Sequence, residues 1–118
     1  MKSDIADCAI DDYGTYKYIQ ILITNKKDSN DKKVVIRGSD NFSFHKEIFR
    51  SFIDGISKEQ NENFTFECIG GGRIEKNSGS ILVYGYSTVY GQAEHKLTVE
   101  ILKKYYPNEK IEYSYSGY

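Results

Sequence analysis

Tryptophan is absent from this chain of 118 residues, proline occurs once, at Pro107, and cysteine and histidine occur twice each. The scarcity of cysteine and histidine removes two classes of protein. Two cysteines as far apart as Cys8 and Cys68 cannot supply the disulfide framework of a small secreted domain, so both are expected as reduced thiols. Two histidines and two cysteines without ligand-like spacing offer no zinc centre. An excess of one charge is missing too: 16 basic against 17 acidic side chains give a net charge of -1, too little field to draw the whole chain onto nucleic acid. No apolar run reaches the roughly 18 residues of a membrane span, and "MKSDIADCAIDDYG" lacks the basic flank and apolar core of a signal peptide. A cytoplasmic chain with neither membrane nor nucleic acid among its partners is the expectation.

What is present suits one domain over residues 1–118: 39% hydrophobic and 28% charged residues suffice for a single core. "YKYIQILIT" (16–24) alternates Ile19, Ile21 and Ile23 against Tyr18, Gln20 and Leu22, the period of a strand. "NKKDSNDKK" (25–33) reads as a solvated loop, and "VVIRG" (34–38) as a short strand. Phe44, Ile48, Phe52 and Ile56, widened by Phe49 and Ile53, then mark an amphipathic helix with Ser43 as its N-cap and Glu47 in its first turn, ending in polar 57–63. The order repeats. "FTFECIGGGRI" (64–74) turns through "EKNSGS" into "ILVYGY" (81–86), a second helix follows over 92–106 until Pro107, and "KIEYSYSGY" (110–118) forms a last strand. A strand-strand-helix unit used twice, then a strand, predicts an α/β or α+β domain: a mixed sheet of about five to six strands with two helices packed on it. In this pseudo-duplication Gly38 and His45 correspond to Gly85 and His95, and residues 1–14 are left as a loose leader.

The junction "VYGYSTVYGQAEH" (83–95) runs from strand end to helix start. Gly85 and Gly91 permit unusual dihedrals, N–H groups from Ser87 to Val89 can converge, the Ser87 hydroxyl adds a donor, and the helix dipole favours an anion. The plainer reading is that the glycines only permit the turn and the tyrosines only pack. No Gly-Lys-Ser/Thr follows, so it is not a P-loop. "ECIGGGRI" separates Cys68 from Arg73 by four residues, one short of the cysteine phosphatase spacing, and leads into no helix; Cys68 is read as a small buried hydrophobe, and Gly70 to Gly72 as a bulge or a close backbone approach. His45 falls in the first turn of its helix, where the positive helix end keeps its imidazole neutral at pH 7 and able to take a proton or attack phosphorus. A structural histidine is the alternative. Lys17, Arg37, His45, Arg73 and the Ser87 loop all fall at strand ends or strand-helix junctions.

"ECIGGGRI", "VYGYSTVYGQAEH", "KKYYP" and the terminal "SGY", with "VIRG" ahead of "FHKEIF" and "YKYIQI" near the start, resemble the phosphohistidine phosphatase family, also called the Janus/Ocnus family, from about Tyr16 to Tyr118. The resemblance implies a metal-free phosphatase acting on protein phosphohistidine, with phospholysine also implied, and no cofactor. It makes His45 the catalytic residue, as general base or as nucleophile, and Lys17, Arg37 and Arg73 the basic groups. It makes Ser87 with the backbone about Thr88 and Val89 the cradle of a phosphate or sulfate anion, and gives Gly85, Tyr86, Gly91 and His95 supporting roles. Val89, Thr88 and Gln92 depart from the residues usual there. The implied partners are phosphohistidine proteins, and the chain is expected as a monomer. A family member that binds phosphate without hydrolysing it is the alternative in a different class; single-strand nucleic-acid binding would need a basic face.

Overall fold

A computed structural model describes residue 1 and residues 3–116. The alternation of Ile19, Ile21 and Ile23 with Tyr18 and Gln20 produces the central strand β2 (Gly14–Asn25), both of whose faces are covered. The elements run β1 (Cys8–Ile10), β2, β3 (Asp28–Ser39), α1 (His45–Asp54), α2 (Lys58–Asn63), β4 (Phe64–Asn77), β5 (Ser80–Tyr84), α3 (His95–Tyr105) and β6 (Lys110–Tyr113). The mixed α/β class is as the sequence leads one to expect; the described residues form a six-stranded sheet and three helices, one helix more than expected. Its strand order β1-β3-β2-β4-β5-β6 is symmetric about the antiparallel β2–β4 pair, and each edge strand lies parallel to its neighbour.

Because strand side chains alternate between faces, the sheet carries two cores. On one face Ile19, Ile21, Ile23 and Val35 pack with Ile48 of α1 and Phe64; on the other Tyr16, Tyr18, Ile36, Ile74, Ile81 and Val83 pack with Val99, Ile101 and Leu102 of α3. No helix among the described residues is long and apolar enough to cross a membrane.

Several local expectations are corrected. The described residues 3–14 are not loose throughout: Ile5 and Cys8 are buried, and β1 pairs with Ile36 to Gly38. The charged stretch 25–33 is a hairpin, because Asn25 pairs with Asp28, and Lys32 and Lys33 pair with Thr24 and Ile23. Residues 57–63 hold a third helix, α2, capped by Ser57, whose Oγ accepts from the Gln60 N–H while Gln60 Oε1 accepts from the Ser57 N–H. Ser43 does not cap α1; Phe44 occupies that position, and Glu47 folds back to accept from both the Ser43 and Phe44 N–H groups. Phe44 and Ile53 leave the buried stripe and are exposed. The helix expected from Gln92 begins at His95, because the Ala93 N–H is already donated to the Gly71 carbonyl. The final strand ends at Tyr113, and the expected strand's last residues, 117–118, lie outside the described residues.

Candidate active site

The glycine run on β4 is where the starts of α1 and α3 meet the sheet. Gly70, Gly71 and Gly72 have ordinary dihedrals, so what they supply is space. A Cβ on Gly70 would stand 2.7 Å from the Ala93 backbone, one on Gly71 2.7 Å from His45 Cδ2 and 3.0 Å from Ser87 Cβ, and one on Gly72 2.6 Å from His95 Cε1. The close approach expected of the run is present, and so is a bulge, since Gln20 pairs with Gly70 but Ile21 with Cys68. His45 thus rests on bare backbone beside the Ser87 loop.

His45 opens α1 and is 6% exposed. Its Nε2–H donates to the Gly72 carbonyl at 3.0 Å; a carbonyl only accepts, so in the neutral ring Nδ1 carries the lone pair. Burial pulls the His45 pKa below its usual value, the Gly72 hydrogen bond pushes it back, and the charges of Lys17 and Arg73 lower it further. The ring is neutral at pH 7. It lines a pocket of about 380 Å³ with Lys17, Ser43, Phe44, Lys46, Thr88 and Val89. Lys17 is paired with Arg73 across β2 and β4, so both side chains leave the sheet on the α1 face. At the first helical positions, His45 and Lys46 have no intrahelical acceptor for their N–H groups, which adds partial positive charge to the same pocket.

The Ser87 loop is a tight five-residue turn. Ser87 and Gly91 exchange N–H to carbonyl bonds at 3.1 and 2.9 Å, and Ser87 Oγ accepts from the N–H groups of Val89 at 3.2 Å and Tyr90 at 3.0 Å. Gly85 and Gly91 take positive φ values of 77° and 84°. Ser87 is buried beneath the loop it shapes, while Val89 is exposed at the pocket rim and Tyr86 is partly exposed.

His95 lies on the opposite face in a chain of bonds with one consistent direction. Gln20 Nε2 donates to Thr98 Oγ1 at 2.8 Å, Thr98 to the Tyr18 hydroxyl at 3.0 Å, Tyr18 to His95 Nδ1 at 2.5 Å, and His95 Nε2–H to the Gly85 carbonyl at 2.8 Å. This holds His95 neutral and ties Gly85, at the root of the Ser87 loop, to the far core. Burial lowers the His95 pKa, against the opposing Gly85 bond.

Of the residues singled out in the sequence, His45, Lys17, Thr88 and Val89 share the pocket, Arg73 acts on His45 through its charge, and Ser87 abuts the same glycine. Arg37 is elsewhere, beneath Phe52 in a second pocket. Sequence reasoning missed Lys46 and the rim position of Phe44, although both directly flank His45. It also missed Tyr18, Gln20 and Thr98, whose polar contacts join residues 74 to 80 positions apart. Among the described residues no three His, Cys, Asp or Glu side chains are grouped as a metal site.

Comparison with known proteins places the chain in a family. The family model of the Janus/Ocnus family matches residues 2–110. The 14 kDa phosphohistidine phosphatase of Homo sapiens is 34% identical over 97% of this chain and 94% of its own length, and that of Sus scrofa 33% identical over 98% and 94%. The sex-regulated protein janus-A of Drosophila pseudoobscura pseudoobscura is 37% identical over 92% of this chain and 74% of its own length. The chain belongs to the Janus/Ocnus family.

Proposed function

We propose that this chain is a metal-independent protein histidine phosphatase that hydrolyses the P–N bond of phosphohistidine, with His45 as its catalytic residue. One observation carries the reading: a neutral His45, its Nε2 tied to Gly72, lines a pocket with Lys17 and Lys46 at a helix N-terminus. Cations and free N–H groups attract a phosphoryl group, and an unprotonated Nδ1 can take a proton from an attacking water. Two relatives carry phosphohistidine phosphatase in their names.

In the proposed reaction the phosphorylated imidazole enters the His45 pocket with its phosphoryl oxygens toward Lys17, Arg73 and the N–H groups at the start of α1. Water attacks phosphorus in line as Nδ1 of His45 accepts its proton; the P–N bond breaks, and the leaving imidazole keeps the electron pair and takes a proton from solvent, to which His45 then returns its own. Charge spreads over the phosphoryl oxygens in the transition state, where preoriented cations and N–H groups stabilise it most. The Ser87 turn shapes the wall beside His45 and presents Thr88 and Val89 at the rim. Direct attack by Nδ1 on phosphorus, followed by hydrolysis of a phospho-His45 intermediate, uses the same groups. A protonated imidazole leaves far more easily than a serine alkoxide, so phosphoserine is a poor substrate in this reading. The chain acts as a monomer in the cytoplasm.

The test is release of inorganic phosphate from a phosphohistidine protein in excess chelator, by the wild-type chain and by His45→Ala with its fold verified by circular dichroism. Chelator-resistant turnover that the substitution abolishes is the expected result. No turnover in either chain, with phosphopeptide binding retained, makes the protein a phosphate-recognising binding module instead.

A further inference from the structure

The β2–β3 register explains why Arg37 is separated from Lys17. Lys17 pairs with Ser39 and Ile19 with Arg37, so Arg37 emerges on the α1 face one step deeper under the helix. Its Cζ lies 5.2 Å from the centre of the Phe52 ring, and Nη1 donates to the Ile36 carbonyl at 2.8 Å. Beside it opens a pocket of about 440 Å³ whose apolar walls include Phe42, Ile48, Phe52 and Ile56. Asp4 is the other charged residue of the lining, and its Oδ1 already accepts from Gln60 Nε2 at 2.8 Å. Among the described residues Arg37 has no ion pair. A guanidinium has five N–H donors in a planar fork matched to a carboxylate, and desolvation beside the apolar walls strengthens such a pair.

The two pockets share one partition. Phe42 lines the Arg37 pocket, and Ser43 and Phe44 line the His45 pocket, so the loop from β3 to α1 separates them by a residue or two. The Cα atoms of Phe42 and Phe44 stand at most about 7 Å apart, and an extended substrate segment advances about 3.3 Å per residue. A segment crossing that loop with its phosphohistidine in the first pocket brings a side chain two to four positions away over the second.

We propose that the Arg37 pocket receives an aspartate or glutamate side chain of the substrate protein, two to four residues from the phosphorylated histidine. The carboxylate pairs with the Arg37 guanidinium while its methylene stem lies against Phe42 and Phe52. The location of the phosphohistidine in this inference rests on the histidine phosphatase reading.

The test measures dissociation constants, by fluorescence anisotropy, for peptides carrying a non-hydrolysable phosphonate analogue of phosphohistidine, with Glu or Gln placed two, three or four residues to either side. At one or more positions the Glu peptide is expected to bind the wild-type chain at least five times more tightly than its Gln counterpart, a difference that Arg37→Gln removes. The wild-type comparison needs no variant to fold. Equal affinities at every position, or no measurable binding of any peptide, would overturn the proposal. So would an Arg37→Gln protein that weakens Glu and Gln peptides alike, since Arg37 would then act on the phosphoryl group. Glutamate-dependent binding without phosphate release leaves the Arg37 pocket in place and removes the catalytic reading alone.

Discussion

His45 and His95 press on adjacent glycines of β4 from opposite faces of the sheet, His45 on Gly71 and His95 on Gly72. Each ring donates its Nε2–H to a backbone carbonyl, His45 to Gly72 and His95 to Gly85. One bare stretch of strand therefore sets the depth of both imidazoles, and β4 couples the candidate catalytic ring to the buried network behind it.

Gly71→Ala tests that coupling on the catalytic side. The new methyl would meet His45 Cδ2, the Tyr18 carbonyl and Ser87 Cβ, all at 3.0 Å or closer, so the ring or the loop has to move. Displacing a positioned group by about 1 Å can cost about 100-fold in rate, whereas overpacking costs about 1–3 kcal/mol of stability. Phosphate release should fall at least tenfold while the urea transition remains cooperative. Gly72→Ala, which also meets the Tyr84 carbonyl, should lose more stability. Wild-type turnover by a folded Gly71→Ala protein would mean that β4 does not position His45.

Tyr18→Phe acts on the network behind the sheet. It strips His95 Nδ1 of its donor and Thr98 of its acceptor, all within the core. Leaving buried polar groups unpaired costs about 1–3 kcal/mol each. Urea denaturation should register a loss in that range, with Thr98→Val smaller because the Tyr18 to His95 bond survives. No loss in Tyr18→Phe would show that the chain of bonds contributes nothing to stability.

The pH dependence has a definite sign. Both histidines have folded pKa values below the unfolded value of about 6.5, so below that pH the unfolded chain binds more protons than the native one. Stability from these two groups is complete above about pH 6.5 and is lost as pH falls through their folded values. Urea midpoints should decline from pH 7 towards pH 5, less steeply in His45→Ala. The acid limb of kcat/KM should lie below pH 6.5. Lys17→Ala, which removes one of the charges holding the His45 pKa down, should move that limb to higher pH. An unmoved limb would separate Lys17 from His45.

How far the sequence could be read follows from where each residue's partners lie. The alternation of Ile19, Ile21 and Ile23 specified β2 because those side chains share one covered face, and the helix stripe of Ile48 and Phe52 was visible because it packs into the same core. Lys32 and Lys33 did not look like a strand because the stretch carries no apolar alternation and its strand pairing comes from β2. Cys8 to Ile10 form a strand only through distant β3, so no local pattern announced them. Ser57 and Gln60 did carry a capping-box signature that could have revealed α2. At the site, His45 and the glycine run were legible as types of residue, but the separation of Arg37 from Lys17 is a matter of register. Tyr18 and His95 meet only once β2 and α3 are folded together.

Cys68 and Arg73 offer a last discrimination, because a near-match to the cysteine phosphatase spacing invites a thiolate mechanism. Cys68 lies half-buried on β4, its Sγ–H directed at the Gly70 carbonyl at 3.8 Å, and no helix follows it. Burial pushes the Cys68 thiol up to about 11, and Cys8 likewise to about 11. At pH 8 only about one such thiol in a thousand is ionised, and the thiolate is the nucleophile. Iodoacetamide at pH 8 should therefore leave phosphate release intact over the minutes in which it silences a thiolate enzyme. Cys68→Ala should turn over within about twofold of wild type, with a stability cost of about 1 kcal/mol for the lost packing. Rapid inactivation, or loss of turnover in a folded Cys68→Ala protein, would transfer the catalytic role from His45 to the thiol.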